Sequence, residues 1–383
     1  MLRPYAAEMV EPNAVAPSGR DVVVLGTRPE VVKLASLISA LGDDAFVVHT
    51  GQHYDPELAG AFGGRIGLAR PDVQLDVGGA RRSEQIGAAT RALVDLLSGR
   101  GARSVTVQGD TNSALAGALT AQQLSIPLVH VEAGLRSNDR AMPEEHNRIV
   151  IDHLSTLACA PTQHAADTLR AELQAHSPTN IVVTGNTVVD ALVASPPSET
   201  TVVAALRKHR LDRDNFVLAT LHRPENVDRD ERLVELLSAL DTADADVILP
   251  LHPRTRARLG DRSFDGRLRI VDPLPHAEFL ALLSACAVCV SDSGGIQEEV
   301  SVLKRPVIVV RRSTERPEVQ GTFATLTPTV DELRTELARH LADVAAIHAR
   351  LRDIPTPYGD GHAGRRIATA IAALPTPNAY RRH

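Results

Sequence analysis

The chain has 383 residues, of which 43% are hydrophobic and 23% charged, with a formal net charge of −6. This acidic balance gives no electrostatic reason to expect nucleic-acid or membrane binding, and an aromatic content of 3% argues against base-stacking surfaces. No apolar run reaches the roughly 18 residues of a membrane span, and three cysteines are too few for a disulfide framework. We therefore expect a globular cytoplasmic protein.

The first half of the chain alternates between apolar, strand-like runs and segments of helical periodicity. Residues 1–20 contain three prolines and little periodicity, so we expect a loose tail before the first strand. The runs are rich in valine, as in parallel sheets that helices cover on both faces. The pattern predicts strands at 21–25, 46–49, 104–107, 127–131, 158–160 and 181–184, and helices at 31–41, 84–97 and 112–124.

The second half repeats this alternation after residues 195–200, whose Ser-Pro-Pro-Ser-Glu-Thr composition is typical of a linker. It predicts strands at 216–221, 247–251, 269–271, 286–290 and 307–310, and helices at 296–303 and 361–374. Repeated βα units indicate an α/β protein with parallel sheets. We predict two Rossmann-like domains, 21–192 and 193–361, and a C-terminal helix within 362–383 that packs back on the first domain.

Polar residues follow several predicted strands at their carboxyl ends, where open parallel sheets bind ligands. The pattern recurs in both halves and therefore predicts one cleft between the two domains. The polar segments are Gly26–Glu30, Thr50–His53, Gln108–Asp110, Glu132, His222–Glu225, His252 and Thr314–Glu318.

A glycine-rich turn at Asp292–Glu299 predicts an anion site. Ser293, Gly294 and Gly295 lie between a predicted strand and a predicted helix. Glycines let backbone N–H groups approach a ligand, and a helix N-terminus favours phosphate. Glu299, one turn later, is placed to accept from a sugar hydroxyl. The alternative is a tight structural loop.

Three carboxylates of the first half are candidates for proton transfer: Asp110, Glu132 and Glu144. Neighbouring carboxylates in a closed site push their pKa values apart and so provide one acid and one base. The alternative is that Asp110 and Glu144 cap helices and that Glu132 pairs with Arg136.

The cations at or beyond strand ends form a complementary set that would hold a diphosphate and stabilise it as a leaving group. Arg316 has the alternative of pairing with Glu315 or Glu318, Lys33 of facing solvent, and His252 of packing in the core. The candidates are Arg28, Lys33, His222, Arg223, His252 and Arg316.

Several common motifs are missing from the sequence. There is no Walker A segment, no G-x-G-x-x-G after the first strand, no His-Glu-x-x-His and no G-x-S-x-G. Cys286 and Cys289 form a C-x-x-C pair inside a predicted strand, so we expect buried apolar side chains rather than a metal or redox site.

Taken together, the motifs resemble the non-hydrolysing UDP-N-acetylglucosamine 2-epimerases. The similarity runs in family order from residue 21 to about 370. The matching segments are Gly26–Glu30, Thr50–His53, Gln108–Thr111, His130–Arg136, Pro143–Arg148, Thr184–Asp190, His222–Asn226, Asp292–Glu299, Thr314–Glu318 and Tyr358–Gly361.

This resemblance implies a GT-B fold and reversible inversion at carbon 2 of the sugar, through elimination of UDP to 2-acetamidoglucal and its re-addition. It implies no nicotinamide or metal cofactor, a UDP-sugar as the bound partner, and a homodimer. By motif position, Asp110, Glu132 and Glu144 are the implied acid/base carboxylates and His222 assists. The implied substrate contacts are Arg28, Lys33, Arg148, His252, Phe279, Ser293, Gly294, Gly295, Glu299 and Arg316, and Gln52 and His53 mark a possible allosteric site.

Three alternatives stay open on sequence alone. One is the same chemistry on a modified UDP-sugar, such as a diacetamido glucuronic acid. The second is a GT-B glycosyltransferase, which needs an acceptor and one base. The third is a nucleotide-sugar sensor, which has no use for the carboxylates.

Overall fold

A computed structural model describes residues 17–52, 70–79, 81–173, 178–260 and 262–375. These residues divide into two compact units, one within Met1–Ala194 and Tyr358–His383 and the other Ser195–Pro357. The predicted domain boundaries, after residues 192 and 361, differ from the observed ones by two and four residues. Most of the predicted N-terminal tail, residues 1–16, lies outside the described part of the chain.

The described part of the first unit contains a parallel sheet of seven strands in the order β3-β2-β1-β4-β5-β6-β7. The strands are β1 Asp21–Leu25, β2 Ala45–His49, β3 Val73–Gln74, β4 Ser104–Gln108, β5 Leu128–Val131, β6 Leu157–Ala160 and β7 Asn180–Val183. The helices are Arg28–Leu41, Arg82–Leu97, Asn112–Leu124, Pro143–Leu154, Gln163–Leu173, Thr187–Ala194 and Ala363–Ala372, with a 3-10 turn at Gly42–Asp44.

The closing helix Ala363–Ala372 packs on the first unit. Its Ile367 and Ile371 are buried in the same apolar cluster as Leu34. Its first N–H groups, from Ala363 and Gly364, donate to the Asp190 carboxylate at 3.0 and 2.8 Å, a favourable place for negative charge.

The described part of the second unit contains a parallel sheet of six strands in the order β10-β9-β8-β11-β12-β13. The strands are β8 Phe216–Thr220, β9 Asp246–Pro250, β10 Leu268–Val271, β11 Val288–Ser291, β12 Val307–Val309 and β13 Ala324–Leu326. The helices are Glu199–His209, Pro224–Val227, Asp230–Asp241, Pro253–Leu259, His276–Leu283, Gly294–Leu303, Val330–Ala342 and Val344–Arg352, with a 3-10 turn at Pro317–Val319.

The predicted α/β class with parallel sheets is confirmed. The edge strands β3 and β13 were not predicted, because they span only two and three residues. Val22–Leu25 of β1 are fully buried, as expected for a strand covered on both faces. Within the described residues, no helix combines the length and the apolar character that a membrane crossing requires.

The three cysteines are free thiols in fully buried positions. Burial raises the pKa of Cys159 and of Cys286 to about 12, and raises the pKa of Cys289 well above its usual value. The expectation that Cys286 and Cys289 behave as buried apolar side chains is therefore confirmed.

Candidate active site

Two of the predicted carboxylates follow adjacent strands of the first unit. Gln108 of β4 lies opposite Val131 of β5. Asp110 and Glu132 therefore lie in the two loops that leave the carboxyl-terminal end of the sheet side by side. The Glu132 side chain is buried, and its Oε2 accepts from Lys33 Nζ at 2.6 Å and from Gln108 Nε2 at 2.7 Å. The alternative that Lys33 faces solvent is wrong.

Glu132 has a left-handed backbone with φ of 69°, which is uncommon for a residue other than glycine. Its N–H donates to Cys159 O at 3.1 Å, and the next N–H, of Ala133, donates to the same carbonyl. Such a conformation persists only where the surroundings impose it, and it is enriched at functional sites. It redirects the chain immediately after β5 while the side chain stays with Lys33.

Asp110 forms an ion pair with Arg148, and its side chain is 27% exposed. The Arg148 guanidinium also donates to Glu145 Oε2 at 2.7 Å. Asn147, beside Arg148 on the helix Pro143–Leu154, donates from Nδ2 to Asp110 O at 2.7 Å. Two successive residues of one helix therefore hold both the side chain and the backbone of Asp110.

The third predicted carboxylate, Glu144, is exposed in the first turn of that helix. Its neighbour Glu145 is the buried one, and it accepts from Ser137 N and Oγ at 3.0 Å and from Asn138 N at 2.8 Å. Burial alone would raise the pKa of Glu145, but these donors and Arg148 hold it below its usual range. The structure thus brings Asp110 and Glu132 to the carboxyl-terminal end of the sheet and leaves Glu144 exposed to solvent.

The alternative pairing of Glu132 with Arg136 is wrong. Arg136 instead contacts Asp152 Oδ2 at 2.7 Å and donates to Glu172. Glu132 keeps Lys33 as its ion-pair partner.

The Gly26–Glu30 turn starts the helix Arg28–Leu41. Glu30 Oε2 accepts from the N–H groups of Gly26 and Thr27 at 3.0 and 2.8 Å, and Glu30 Oε1 accepts from Thr111 Oγ1 at 2.7 Å. Burial raises the pKa of Glu30 to about 7 despite these donors. Glu30 therefore fastens the loop after β1 to the loop after β4, and Arg28 lies half-buried at the first helical position.

Gln52, predicted for an allosteric site, follows β2. Its side-chain oxygen accepts from Ser113 N at 3.0 Å and from Ser113 Oγ at 2.8 Å. His53 lies outside the described residues.

The glycine-rich turn of the second unit opens the helix Gly294–Leu303, with Ser293 at its N-cap. A Cβ on Gly294 would collide with Glu315 Oε1, whereas a Cβ on Gly295 would meet only Ser293 Oγ at 3.9 Å. Neither glycine has a positive φ. Close packing against Glu315 therefore explains why residue 294 is a glycine, whereas a side chain at position 295 would enter open space.

His222 follows β8 and is anchored by Asp292, at the end of β11. Its Nδ1 lies 2.9 Å from Asp292 Oδ1, and its backbone N–H donates to the same carboxylate at 3.1 Å. Asp292 is fully buried while the His222 side chain is 59% exposed. Burial would raise the pKa of Asp292, but His222, Asn226 and the Arg223 N–H hold it below its usual range. With Nδ1 directed at Asp292, His222 presents Nε2 outward.

Arg316, predicted as a substrate contact, lies in a buried ion cluster. Its Nε donates to Glu298 Oε1 at 2.6 Å, and its NH1 lies 3.3 Å from Glu315 Oε1. Glu315 also faces Arg311 at 2.8 Å and Arg223 at 3.5 Å. The alternative that Arg316 pairs with Glu315 is confirmed.

Two other predicted contacts, Phe279 and Glu299, lie on or beside the helix His276–Leu283. Phe279 is half-buried on this helix, and His276, one turn earlier, lies 3.7 Å from Glu299 Oε1. His252 is exposed after β9, so the alternative that it packs in the core is wrong. Gln108 and Glu145 lie in predicted segments, Gln108–Asp110 and Pro143–Arg148, but neither was assigned a role. His276 was not predicted, because nothing in its local sequence distinguishes it from an ordinary polar residue.

Comparison with known proteins identifies the family to which the chain belongs. The sequence model of a family described as UDP-N-acetylglucosamine 2-epimerase matches residues 39–372 of the chain. The chain belongs to the UDP-N-acetylglucosamine 2-epimerase family. It is accordingly an isomerase by family, and the predicted GT-B fold is confirmed by the solved structure described next.

The UDP-N-acetylglucosamine 2-epimerase of Methanocaldococcus jannaschii is 37% identical over 365 residues, covering 91% of this chain and 98% of that protein. The crystal structure of the M. jannaschii UDP-GlcNAc 2-epimerase in complex with UDP-GlcNAc and UDP superposes with a TM-score of 0.79 at 35% identity, covering 93% of this chain and 100% of that one. A UDP-2,3-diacetamido-2,3-dideoxy-D-glucuronate 2-epimerase of Pseudomonas aeruginosa is 33% identical, covering 92% of this chain and 99% of that protein.

Proposed function

We propose that this protein interconverts UDP-N-acetylglucosamine and UDP-N-acetylmannosamine by inverting carbon 2 of the sugar. The observation that carries the proposal is the pair of carboxylates after adjacent strands, Asp110 and Glu132, each held by its own cation. Inversion through a planar centre needs one group to remove a proton and another to return one on the opposite face. Two carboxylates fixed by different partners suit that division of roles.

The proposed reaction has two halves that balance. A carboxylate takes the proton from carbon 2 while the bond between carbon 1 and the diphosphate oxygen breaks, and UDP leaves with the bonding electrons. UDP then adds back to carbon 1 of 2-acetamidoglucal while carbon 2 is protonated from the other face. Substrate and product have the same oxidation state, so the proposal requires no redox cofactor. We assign these proton transfers to Asp110, Glu132 and Glu144, with assistance from the outward-facing Nε2 of His222.

The second unit is proposed to bind UDP. The first N–H groups of the helix that begins at Gly294 have no partner within the helix, and the helix dipole favours a diphosphate there. Ser293, Gly295 and His222 line this turn on its accessible side. We assign the ribose to Glu299 and the uracil to Phe279.

Three of the predicted cationic contacts receive a modified role in this proposal. Lys33, Arg148 and Arg316 are each buried and engaged by carboxylates. We propose that they fix those carboxylates and contribute positive potential, while Arg28 and His252, which are more exposed, contact the ligand directly.

Incubation of the pure protein with UDP-N-acetylglucosamine alone, followed by proton NMR, tests the function. We expect UDP-N-acetylmannosamine to accumulate, and in deuterated water we expect deuterium at carbon 2 of the product. Complete retention of the original hydrogen would rule out proton exchange. Release of UDP only when an acceptor sugar is added would indicate a glycosyltransferase, and binding without turnover would indicate a sensor.

The finer points of the proposal need separate measurements. Because a similar P. aeruginosa protein is named for a diacetamido glucuronate, that UDP-sugar belongs in the same assay as a competing substrate. The homodimer is tested by analytical ultracentrifugation. Activation by a second UDP-sugar near Gln52 would make initial rates sigmoidal in substrate.

A further inference from the structure

His130 is a fully buried histidine of β5 with a partner on each ring nitrogen. Its Nδ1 lies 2.7 Å from Asp152 Oδ1, and its Nε2 lies 2.9 Å from Gly109 O. A carbonyl oxygen only accepts, so Nε2 carries a proton and donates it to Gly109.

Asp152 is also fully buried, and its second oxygen is occupied. Oδ2 lies 2.7 Å from Arg136 NH1 and accepts from Gly134 N at 3.3 Å. Burial raises the pKa of Asp152, but His130 and Arg136 outweigh burial and hold it below its usual range. The Asp152 carboxylate and the Gly109 carbonyl therefore hold the ring of His130 at its two nitrogens.

The two bonds of the His130 ring join three segments of the first unit. Gly109 immediately precedes Asp110, and His130 lies two residues before Glu132. Asp152 is on the helix Pro143–Leu154, one turn after Arg148, which pairs with Asp110. All three segments that bear the proposed proton-transfer carboxylates are thus fastened to one ring.

We propose that His130 is a positioning residue that, through its bonds to Asp152 and Gly109, sets the separation of Asp110 from Glu132. The inference rests on the proposed function, because it gives these two carboxylates their role. His130 lies beneath the strand ends and is fully buried, so it acts through the backbone and through Asp152 rather than on a ligand.

Stability alone does not account for this arrangement. Removing charged groups from water is costly, and buried ion pairs are often no more stabilising than apolar residues of the same volume. The directional bonds of His130 to Asp152 and to Gly109, by contrast, fix the distances between the segments that they join. Catalysis is sensitive to such distances, since a displacement of about 1 Å can reduce a rate by about 10²-fold.

The test compares His130→Gln with His153→Gln in the full-length protein. His153 is exposed on the same helix, next to Asp152, and bonds only its own helix through Ile149 O, so it is a matched control. We expect His130→Gln to lower kcat by about 10²-fold with KM within about threefold, and His153→Gln to leave both unchanged. Asp152→Asn, which keeps the side-chain shape and removes the charge, should lower kcat in the same way.

The split between kcat and KM is the readout that a purely structural role would not move, because loss of folded protein alone lowers the amount of active enzyme and not the turnover of the folded fraction. Asp152→Asn keeps the proposal testable where His130→Gln fails to fold. A folded His130→Gln or Asp152→Asn protein with wild-type kcat would overturn the proposal. Failure of the wild-type protein to epimerise would instead remove the proposed function.

Discussion

The candidate residues of the two units are built in opposite ways. In the first unit the carboxylates and their cations are mostly buried and locked in ion pairs, such as Glu132 with Lys33. In the second unit the features that we propose to face the ligand are an exposed imidazole, that of His222, and backbone N–H groups at the Gly294 helix start. Under the proposed function, precise side-chain placement would serve the proton transfers, whereas main-chain donors would share in holding the diphosphate.

The strongest test of this contrast is Glu132→Gln. The change keeps the side-chain volume but removes the group that accepts a proton, so we expect kcat to fall by about 10²–10⁴-fold. UDP affinity, measured by calorimetry, should stay within about twofold because UDP is assigned to the other unit. Glu235→Gln, at an exposed position of the second unit, is the control and should change neither quantity. Wild-type turnover of Glu132→Gln would remove this residue from the mechanism.

Glu144 and Glu145 offer a matched pair within the first unit. Glu144→Gln should lower kcat by about 10²–10⁴-fold with no change in melting temperature, because the side chain is exposed. Glu145→Gln should lower the free energy of unfolding by roughly 3–5 kcal/mol, because a buried partner of Arg148 is lost. Thermal melts and steady-state rates separate the two effects. A stable, active Glu144→Gln protein would show that two carboxylates suffice.

The glycine-rich turn gives a matched pair in the second unit. Gly295→Ala places a Cβ in open space, so the fold should tolerate it while UDP binding weakens by about 10- to 150-fold, the cost of one charge-assisted hydrogen bond of roughly 1.5–3 kcal/mol. Gly294→Ala should weaken UDP binding as much and also lower the melting temperature, because its Cβ meets Glu315. Calorimetric titration with UDP measures both. Unchanged affinity in both proteins would make this turn purely structural.

A smaller effect, on the pH dependence of stability, is expected from His49, which is buried in the first unit. Burial lowers the pKa of His49 to about 4, and its Nδ1 accepts from Gly51 N at 3.0 Å. Between about pH 6.5 and 4 the unfolded chain therefore binds a proton that the folded protein does not, so stability falls as pH falls. The total loss is at most about 3 kcal/mol at about 1.4 kcal/mol per pKa unit. Urea unfolding at pH 7 and pH 4.5 should show a shallower pH dependence for His49→Gln than for wild type.

Much of the fold was predictable because its information is local. Valine-rich runs bounded by glycine and polar residues marked strands such as β1 and β8. The edge strands β3 and β13 were missed because pairs of two or three residues leave no periodicity. Their pairing is decided by neighbours distant in sequence, Val48 and Val309 among them.

The sequence predicted which types of residue form the candidate site, but it predicted less well which residues they pair with. Strand-end position indicated Asp110 and Glu132, but it did not show that Arg136 pairs with Asp152 instead of Glu132. Of two consecutive glutamates, the sequence favoured Glu144, and only the tertiary structure shows that Glu145 is buried. Ion-pair choice depends on distances between segments, which no local pattern contains.

The burial of all three cysteines has a practical consequence. Thiol reagents attack the thiolate, and these side chains are both inaccessible and held in the thiol form, so the native protein should resist labelling. A cysteine introduced at an exposed position such as 95 or 235 would then be the single reactive site, with no need to remove the natural ones. A donor dye at one position and an acceptor at the other would follow, molecule by molecule, whether UDP changes the separation of the two units.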